Sequence, residues 1–294
     1  MNVAEGRDDT VVRALAESCG DALLDVHTDT DHDRAVFTLL GDEPDGTAVA
    51  TRALAAQVAA RVSIAGYDGV HPILGALDVV PFVALAGGDA ARADAAGVAR
   101  AFGTWWAETA NVPVFFYDDA DRARRTLPSA RRDAFRTRAP DAGPHRPHPA
   151  LGATAVGARR PLVAVNLVLD RADVDVARRL ARAVRERDGG LPGVRALGLA
   201  LASAGHVQVS MNLVDLERTG LEAACTAVRD RSAADHARVT AVELVGLVPA
   251  AELRRCSPEF LAWSGIDAGS TIEHRAAVRP EPGREPPSGR GPQR

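Results

Sequence analysis

The sequence predicts an α+β fold of two similar halves, on three observations. Residues 161–249 alternate short β-branched runs with segments of helical period, in the order β-α-β-β-α-β. Residues 7–85 repeat that order without a full opening strand: either it is cut to a stub in "MNVAEG" or the true start lies further upstream. A Pro/Gly-punctuated stretch, 138–160, separates the two patterned blocks. The order is that of a ferredoxin-like unit. The expected architecture is two tandem ferredoxin-like (βαββαβ) subdomains with a ligand cleft between them, because small ligands favour such clefts.

The second half is the clearer one. "PLVAVNLVLD" (161–170) reads as a strand, and "DVDVARRLARAVRERDGG" (173–190) as a helix stopped by Gly-Gly. "VRALGLALA" (194–202) and "HVQVSMNLVD" (206–215) read as strands about a short Ser-Ala-Gly turn. A mostly helical stretch (216–236) and a strand (239–249) complete it. In the first half, 7–20 is a helix with Asp8 or Asp9 as cap and Gly20 as stop. "DALLDVHTD" and "RAVFTLLG" are strands, 46–66 a helix and 76–85 a strand. A helix (88–110), a strand (112–117) and an Arg-rich helical stretch (120–137) extend this half. The expected domains are 1–150 and 151–275, followed by a disordered Pro/Gly/Arg-rich tail, 276–294.

Composition narrows the function. The chain has 294 residues, a net charge of −4 and 4% aromatics, so the core is mostly Ala, Val and Leu and a general nucleic-acid binder is not expected. All 35 basic residues are arginine, which leaves no ε-amine for a Schiff base. The three cysteines, Cys19, Cys225 and Cys256, are far apart and form no CxxC pair. No signal region opens the sequence, and no run reaches the roughly 18 apolar residues of a membrane span. A cytoplasmic protein with no membrane partner is expected.

Three clusters carry chemistry. His71 lies in "GVHPILGALDVVPF" (69–82), a loop between helix and strand, where an imidazole can take and return a proton near neutral pH. The alternative is a turn histidine with local bonds only. "DVHTDTDHDR" (25–34) lacks the Gly and distal Glu of an EF-hand, so a solvated hairpin loop is expected rather than a metal site. Arg34 at its end could hold a carboxylate at two points. "GPHRPHP" (143–149) is either a linker or a set of donors for an anion where the halves meet. "RARRTLP" (122–128) reads as a solvated helix start, and Trp105-Trp106 as core. Phosphate-loop, HExxH, GxSxG and dinucleotide-glycine motifs do not occur.

The 69–82 run resembles the signature loop of the formiminotransferase family. "NVAEGRD", "LLDVHTDTDHDR", "VPVFFY", "RRTLP", "PDAGP…GATAVGAR", "QVSMNLVD" and "ELVGLVP" follow the family's order, up to Arg275. The resemblance implies transfer of the formimino group of N-formimino-L-glutamate to N5 of tetrahydrofolate, in histidine breakdown, through a tetrahedral adduct and without a metal. It implies His71 as the catalytic acid and base. It implies a folate-lining loop at Gly143, Pro144, His145, Arg146, His148, Pro149, Leu151 and Gly152, and substrate contacts at Asn2, His27 and Arg34. Tetrahydrofolate would be the co-substrate and a homodimer the assembly to test. Val70, Ile73, Asp33 and His27 depart from the family's pattern. They leave open an alternative: a folate-binding member with lost turnover or a changed substrate.

Overall fold

The computed structural model describes residues 1–41, 44–201 and 205–279. The first half contains β1 (Asn2–Val3), α1 (Asp9–Glu17), β2 (Leu23–Asp29), β3 (Arg34–Leu39), α2 (Pro44–Arg61), β4 (Leu77–Phe82), α3 (Gly88–Ala110), β5 (Val114–Asp118), α4 (Leu127–Asp133) and β6 (Thr154–Ala158). The second contains β7 (Val163–Leu169), α5 (Val174–Val184), β8 (Val194–Leu201), β9 (His206–Leu213), α6 (Leu221–Ala234), β10 (Val239–Val245), α7 (Ala250–Leu253), α8 (Pro258–Ser264) and α9 (Ile272–Val278). The result is a mixed α+β chain with two sheets.

The sheets share one wiring. The second is antiparallel throughout, in the order β10-β7-β9-β8. The first runs β2-β3-β1-β4-β6-β5; its first four strands are antiparallel, and β6 and β5 add in parallel at the β4 edge. The stub at the N-terminus is therefore a strand of two residues. Asn2 and Val3 pair with Val36 and Ala35 on one side and with Val79 and Leu77 on the other. The Met1 amine donates to the Phe37 carbonyl at 2.6 Å and extends the ladder.

Side-chain alternation sorts the faces. In β7 and β9, Val163, Val165, Leu167 and Leu169 and Val207, Val209, Met211 and Leu213 are fully buried in one core with α5 and α6. The residues between them, Ala164, Asn166, Ser210 and Asn212, face the opposite way and line a cavity. In β3, Ala35 and Phe37 enter the first core with α1–α3, while Val36 and Thr38 line the same cavity. Both sheets thus face the cleft, and α4 packs on the cleft side of the first, with Ala130 and Leu127 against Phe115 and Tyr117. Trp106 is core, as expected, and its indole N–H donates to Thr154 Oγ1 at 2.9 Å.

Four expectations need correction. The stretch 138–160, read as a separator, contains β6, and β6 belongs to the first sheet. Its small residues hide the strand because larger ones do not fit. A Cβ on Gly157 would sit 2.4 Å from the Tyr117 ring. Gly157→Ala is therefore expected to cost about 1–3 kcal/mol by overpacking, read as a lower urea midpoint; an unchanged midpoint would contradict this contact. The helix expected over 120–137 is confined to α4, because Asp121 caps the preceding turn through the Ala123 and Arg125 amides. The 25–34 cluster is mostly strand, with only the turn between Asp29 and Arg34 as loop. The tail does not begin at 276: α9, capped by Thr271, runs to Val278, and Arg279 donates to the Leu40 carbonyl at 2.9 Å. The remainder of the tail and most of the turn between β8 and β9 lie outside the described residues.

Candidate active site

A cavity of about 1330 Å³ lies between the two sheets, with α4 contributing Leu127 and Arg131 to its wall. Asn2, His32, Arg34, His71 and Arg131 line it from the first half; Asn166, Arg195 and Asn212 line it from the second. Its volume exceeds the ~300–1,000 Å³ usual for one small ligand.

His71 stands on its wall, half-buried, in the loop between α2 and β4. The loop is clamped at both ends of the histidine. Asp78, which is 1% exposed, accepts the Leu74 amide on Oδ1 at 2.8 Å. Its Oδ2 meets the Arg131 guanidinium, which also donates to the Pro72 carbonyl. Behind the loop, Gly75 packs against the 143–152 segment so closely that a Cβ would lie 2.2 Å from the Leu151 carbonyl. Tyr67 Oη donates to the His32 carbonyl at 2.7 Å and lies 3.2 Å from that of His71.

The charges around the ring are positive. Arg34 Nη1 lies 2.6 Å from His71 Nδ1, 3.2 Å from Nε2 and 3.3 Å from Asp78 Oδ2. Burial, then Arg34, Arg131 and His32, push the His71 imidazole from 6.5 down to about 2. The ring is neutral at pH 7. A linkage follows. Between about 6.5 and 2 the unfolded chain binds a proton at this position that the folded chain refuses, so His71 lowers stability as pH falls through that window. His71→Gln is expected to flatten the pH dependence of the melting temperature between pH 6.5 and 4. Parallel curves for the two proteins would contradict the neutral ring.

The other sequence-derived residues divide. Asn2 and Arg34 join His71 on the cavity wall. His27 does not; its Nε2 faces Glu243 Oε1 of β10 at 3.4 Å, and this contact outweighs burial to raise the His27 imidazole. Asn166 Nδ2 donates to the other Glu243 oxygen at 2.9 Å. Gly143, Pro144, His145, Arg146, His148, Pro149, Leu151 and Gly152 are not among the lining residues. His145 and Arg146 are exposed, and His148 Nδ1 accepts from the Ala150 and Leu151 amides at 3.2 and 3.0 Å. This segment braces the His71 loop from outside: a Cβ on Gly152, at φ 68°, would fall 2.4 Å from the Leu74 carbonyl. Among the described residues, no group of three His, Cys, Asp or Glu converges as a metal requires.

Sequence reading missed Arg131 and His32. Arg131 sits in α4, far along the chain from His71 and among many other arginines. Its only sequence signal was the basic run before it. His32 is buried, donates from Nδ1 to Asp29 Oδ2 at 2.9 Å and receives Gln208 Nε2 of β9 at 3.1 Å on its other nitrogen. It ties the two halves together beside His71, with ring centroids 6.1 Å apart.

Comparison with known proteins decides the family. The family profile of the formiminotransferase domain's N-terminal subdomain matches residues 1–159, and that of the formiminotransferase domain matches residues 163–266. The chain belongs to the formiminotransferase family. It is 31% identical over 281 residues to glutamate formimidoyltransferase of Streptococcus pyogenes, covering 90% of this chain and 93% of that protein. To the enzyme of the same name from Thermoplasma acidophilum it is 31% identical over 291 residues, covering 93% and 95%. To formimidoyltransferase-cyclodeaminase of Sus scrofa it is 35% identical over 276 residues, covering 84% of this chain and 49% of that longer protein. As a formiminotransferase, the chain is a transferase enzyme, and the relatives' names support formimino transfer as its activity. Among the described residues no helix is long and apolar enough to cross a membrane.

Proposed function

We propose that this formiminotransferase moves the formimino group of N-formimino-L-glutamate to N5 of tetrahydrofolate inside the cleft, with His71 as general acid and base. The observation that carries the reading is a neutral imidazole on the wall of a cavity large enough for two substrates and edged with arginines. Tetrahydrofolate supplies the amine that accepts the group. Both substrates carry carboxylates, and Arg34, Arg131, Arg159 and Arg195 on the lining offer charge-assisted donors for them. Val36, Val79, Phe82 and Leu197 give the same cavity the apolar wall that a flat ring system needs.

His71 has one task in two steps. Its ring accepts the proton lost at the folate amine and returns it to the departing glutamate nitrogen. The first step leaves the ring as imidazolium and the second restores the neutral imidazole, and the group passes directly from nitrogen to nitrogen without a nucleophilic side chain. Asp78 and Arg131 hold the ring's loop still while the cation beside the ring keeps the starting state neutral.

The shared wiring of the two sheets supports reading each half as a ferredoxin-like unit, the first extended by β5 and β6. In this reading the first subdomain runs to about residue 159, β6 included, and the second to about 275. The 143–152 segment acts by bracing the His71 loop. The reaction belongs to cytoplasmic histidine degradation.

The test is an assay of the purified chain with tetrahydrofolate and N-formimino-L-glutamate, following the folate product by absorbance. Turnover is expected. Tight binding of tetrahydrofolate without turnover would overturn the donor and favour a changed substrate.

A further inference from the structure

Two rows of residues meet at the seam of the cleft. On the first sheet His27, Val36 and Asn2 lie side by side across β2, β3 and β1, and Val36 and Asn2 line the cavity. On the second, Glu243, Asn166 and Ser210 lie side by side across β10, β7 and β9, and Asn166 and Ser210 line it. The rows touch where His27 Nε2 comes 3.4 Å from Glu243 Oε1. That contact holds the Glu243 carboxyl below its ordinary range, so Glu243 is a carboxylate at pH 7. A carboxylate only accepts hydrogen bonds. The 2.9 Å bond between Glu243 Oε2 and Asn166 therefore fixes the amide: Nδ2 faces Glu243, and Oδ1 is turned away from it. Asn166 is 2% exposed, and among the described residues its Oδ1 takes no hydrogen bond. A buried oxygen without a donor costs stability. The anion one bond behind it also polarises it into a stronger acceptor.

The rest of the cavity is hostile to cations. Arg34, Arg131, Arg159 and Arg195 all line it. The lining carboxylates, Asp94 and Glu186, stand on α3 and after α5, and Glu186 is paired with Arg218 at 3.0 Å. The sheets contribute no carboxylate to the lining; the charge of Glu243 reaches it through Asn166. The formimino group of the proposed donor is an amidine, which is protonated and cationic at pH 7. It needs an acceptor inside a cleft whose arginines suit the carboxylates of the same molecule. A neutral N–H would gain less from an acceptor backed by an anion.

We propose that Asn166 binds the formimino group of the donor, its Oδ1 accepting from the amidinium N–H and selecting against a carbonyl oxygen in that place. The proposal rests on N-formimino-L-glutamate being the donor. Glu243 and His27 are positioning residues that orient Asn166 and do not touch the substrate.

Calorimetric titration of the full chain with N-formimino-L-glutamate and with N-formyl-L-glutamate, in the absence of folate, tests it. The two differ in one terminal group, =NH₂⁺ against =O. The wild-type chain should bind the formimino compound about 10- to 100-fold tighter, the usual worth of one hydrogen bond to a charged group. In Asn166→Leu the ratio should fall to within about threefold, while tetrahydrofolate affinity, read by fluorescence quenching, stays the same. Glu243→Gln should also lower the ratio, because a glutamine can donate as well as accept and no longer fixes the Asn166 amide. That variant and the wild-type comparison keep the proposal falsifiable if Asn166→Leu does not fold. Equal wild-type affinities, a preference that survives Asn166→Leu, or a loss confined to tetrahydrofolate would overturn it. Failure of the donor reading looks different: the wild-type chain would bind tetrahydrofolate but neither glutamate derivative, which removes the donor and this proposal with it.

Discussion

His71→Gln lowers kcat by about 10²- to 10⁴-fold, the usual contribution of a positioned acid–base group. That is about 3–5 kcal/mol of barrier. Glutamine is the demanding choice, because its carbonyl oxygen can still accept from Arg34 and its size keeps the loop packed. The loss then reports proton transfer and not collapse. The KM values should move little, because the proposed reading assigns the carboxylates to arginines and not to the ring. Initial rates at saturation, beside an unchanged far-UV spectrum and melting temperature near pH 7, check this. A rate within threefold of wild type would remove His71 from the chemistry.

Asp78→Ala destabilises the fold by about 3–5 kcal/mol, the range for removing one partner of a buried ion pair. Asp78 is buried at 1% exposure, and three groups depend on it: Arg34, Arg131 and the Leu74 amide. Removing it leaves two guanidiniums facing each other with no anion between them and one amide unpaired. A domain is stable by only about 5–15 kcal/mol, so the effect is a large fraction of the whole. Asp78→Asn should lose less, since its side-chain oxygen can still accept the Leu74 amide. Urea unfolding of the three proteins tests the order wild type, Asn, Ala. A loss under 1 kcal/mol in the alanine variant would show that the guanidiniums find other partners.

What the sequence could show depended on which physical signal each element carried. The second half was legible because its strands are β-branched and its helices have clear period and stops. Val163 to Leu169 and Val207 to Leu213 alternate faces strictly, and both lie in the sheet as read. β1 was legible only as a stub, since two residues carry no period; its pairing to β3 and β4 is decided by tertiary contacts. β6 was lost because its alanines and glycine answer to the Tyr117 ring and the α3 face, not to strand propensity. The helices α7, α8 and α9 are too short to leave a pattern.

The site followed the same rule. His71 stood out as a candidate because a loop histidine between glycines and a proline is a local signal. The role of Arg131 is not local: it is set by the fold bringing α4 beside β4. The polar residues on the cleft side of β7 and β9, Asn166 and Asn212, look like ordinary alternation until the second sheet faces the first. The loop at 143–152 shows the reverse. Its histidines and arginine looked like ligand donors, yet Gly152 is there for close packing on the His71 loop and Gly143 for packing on Val112 and α3, while His145 and Arg146 are exposed.

The central claim is that the chemistry occurs in the cleft beside His71. Hydrogen exchange of the wild-type chain, with and without a stable N5-substituted tetrahydrofolate, tests it most directly. The account predicts slower exchange in the His71 loop (67–75) together with the cleft-facing strands β3 and β9, from both halves at once. Protection confined to one half, or to the exposed 143–149 segment with none at the His71 loop, would contradict it.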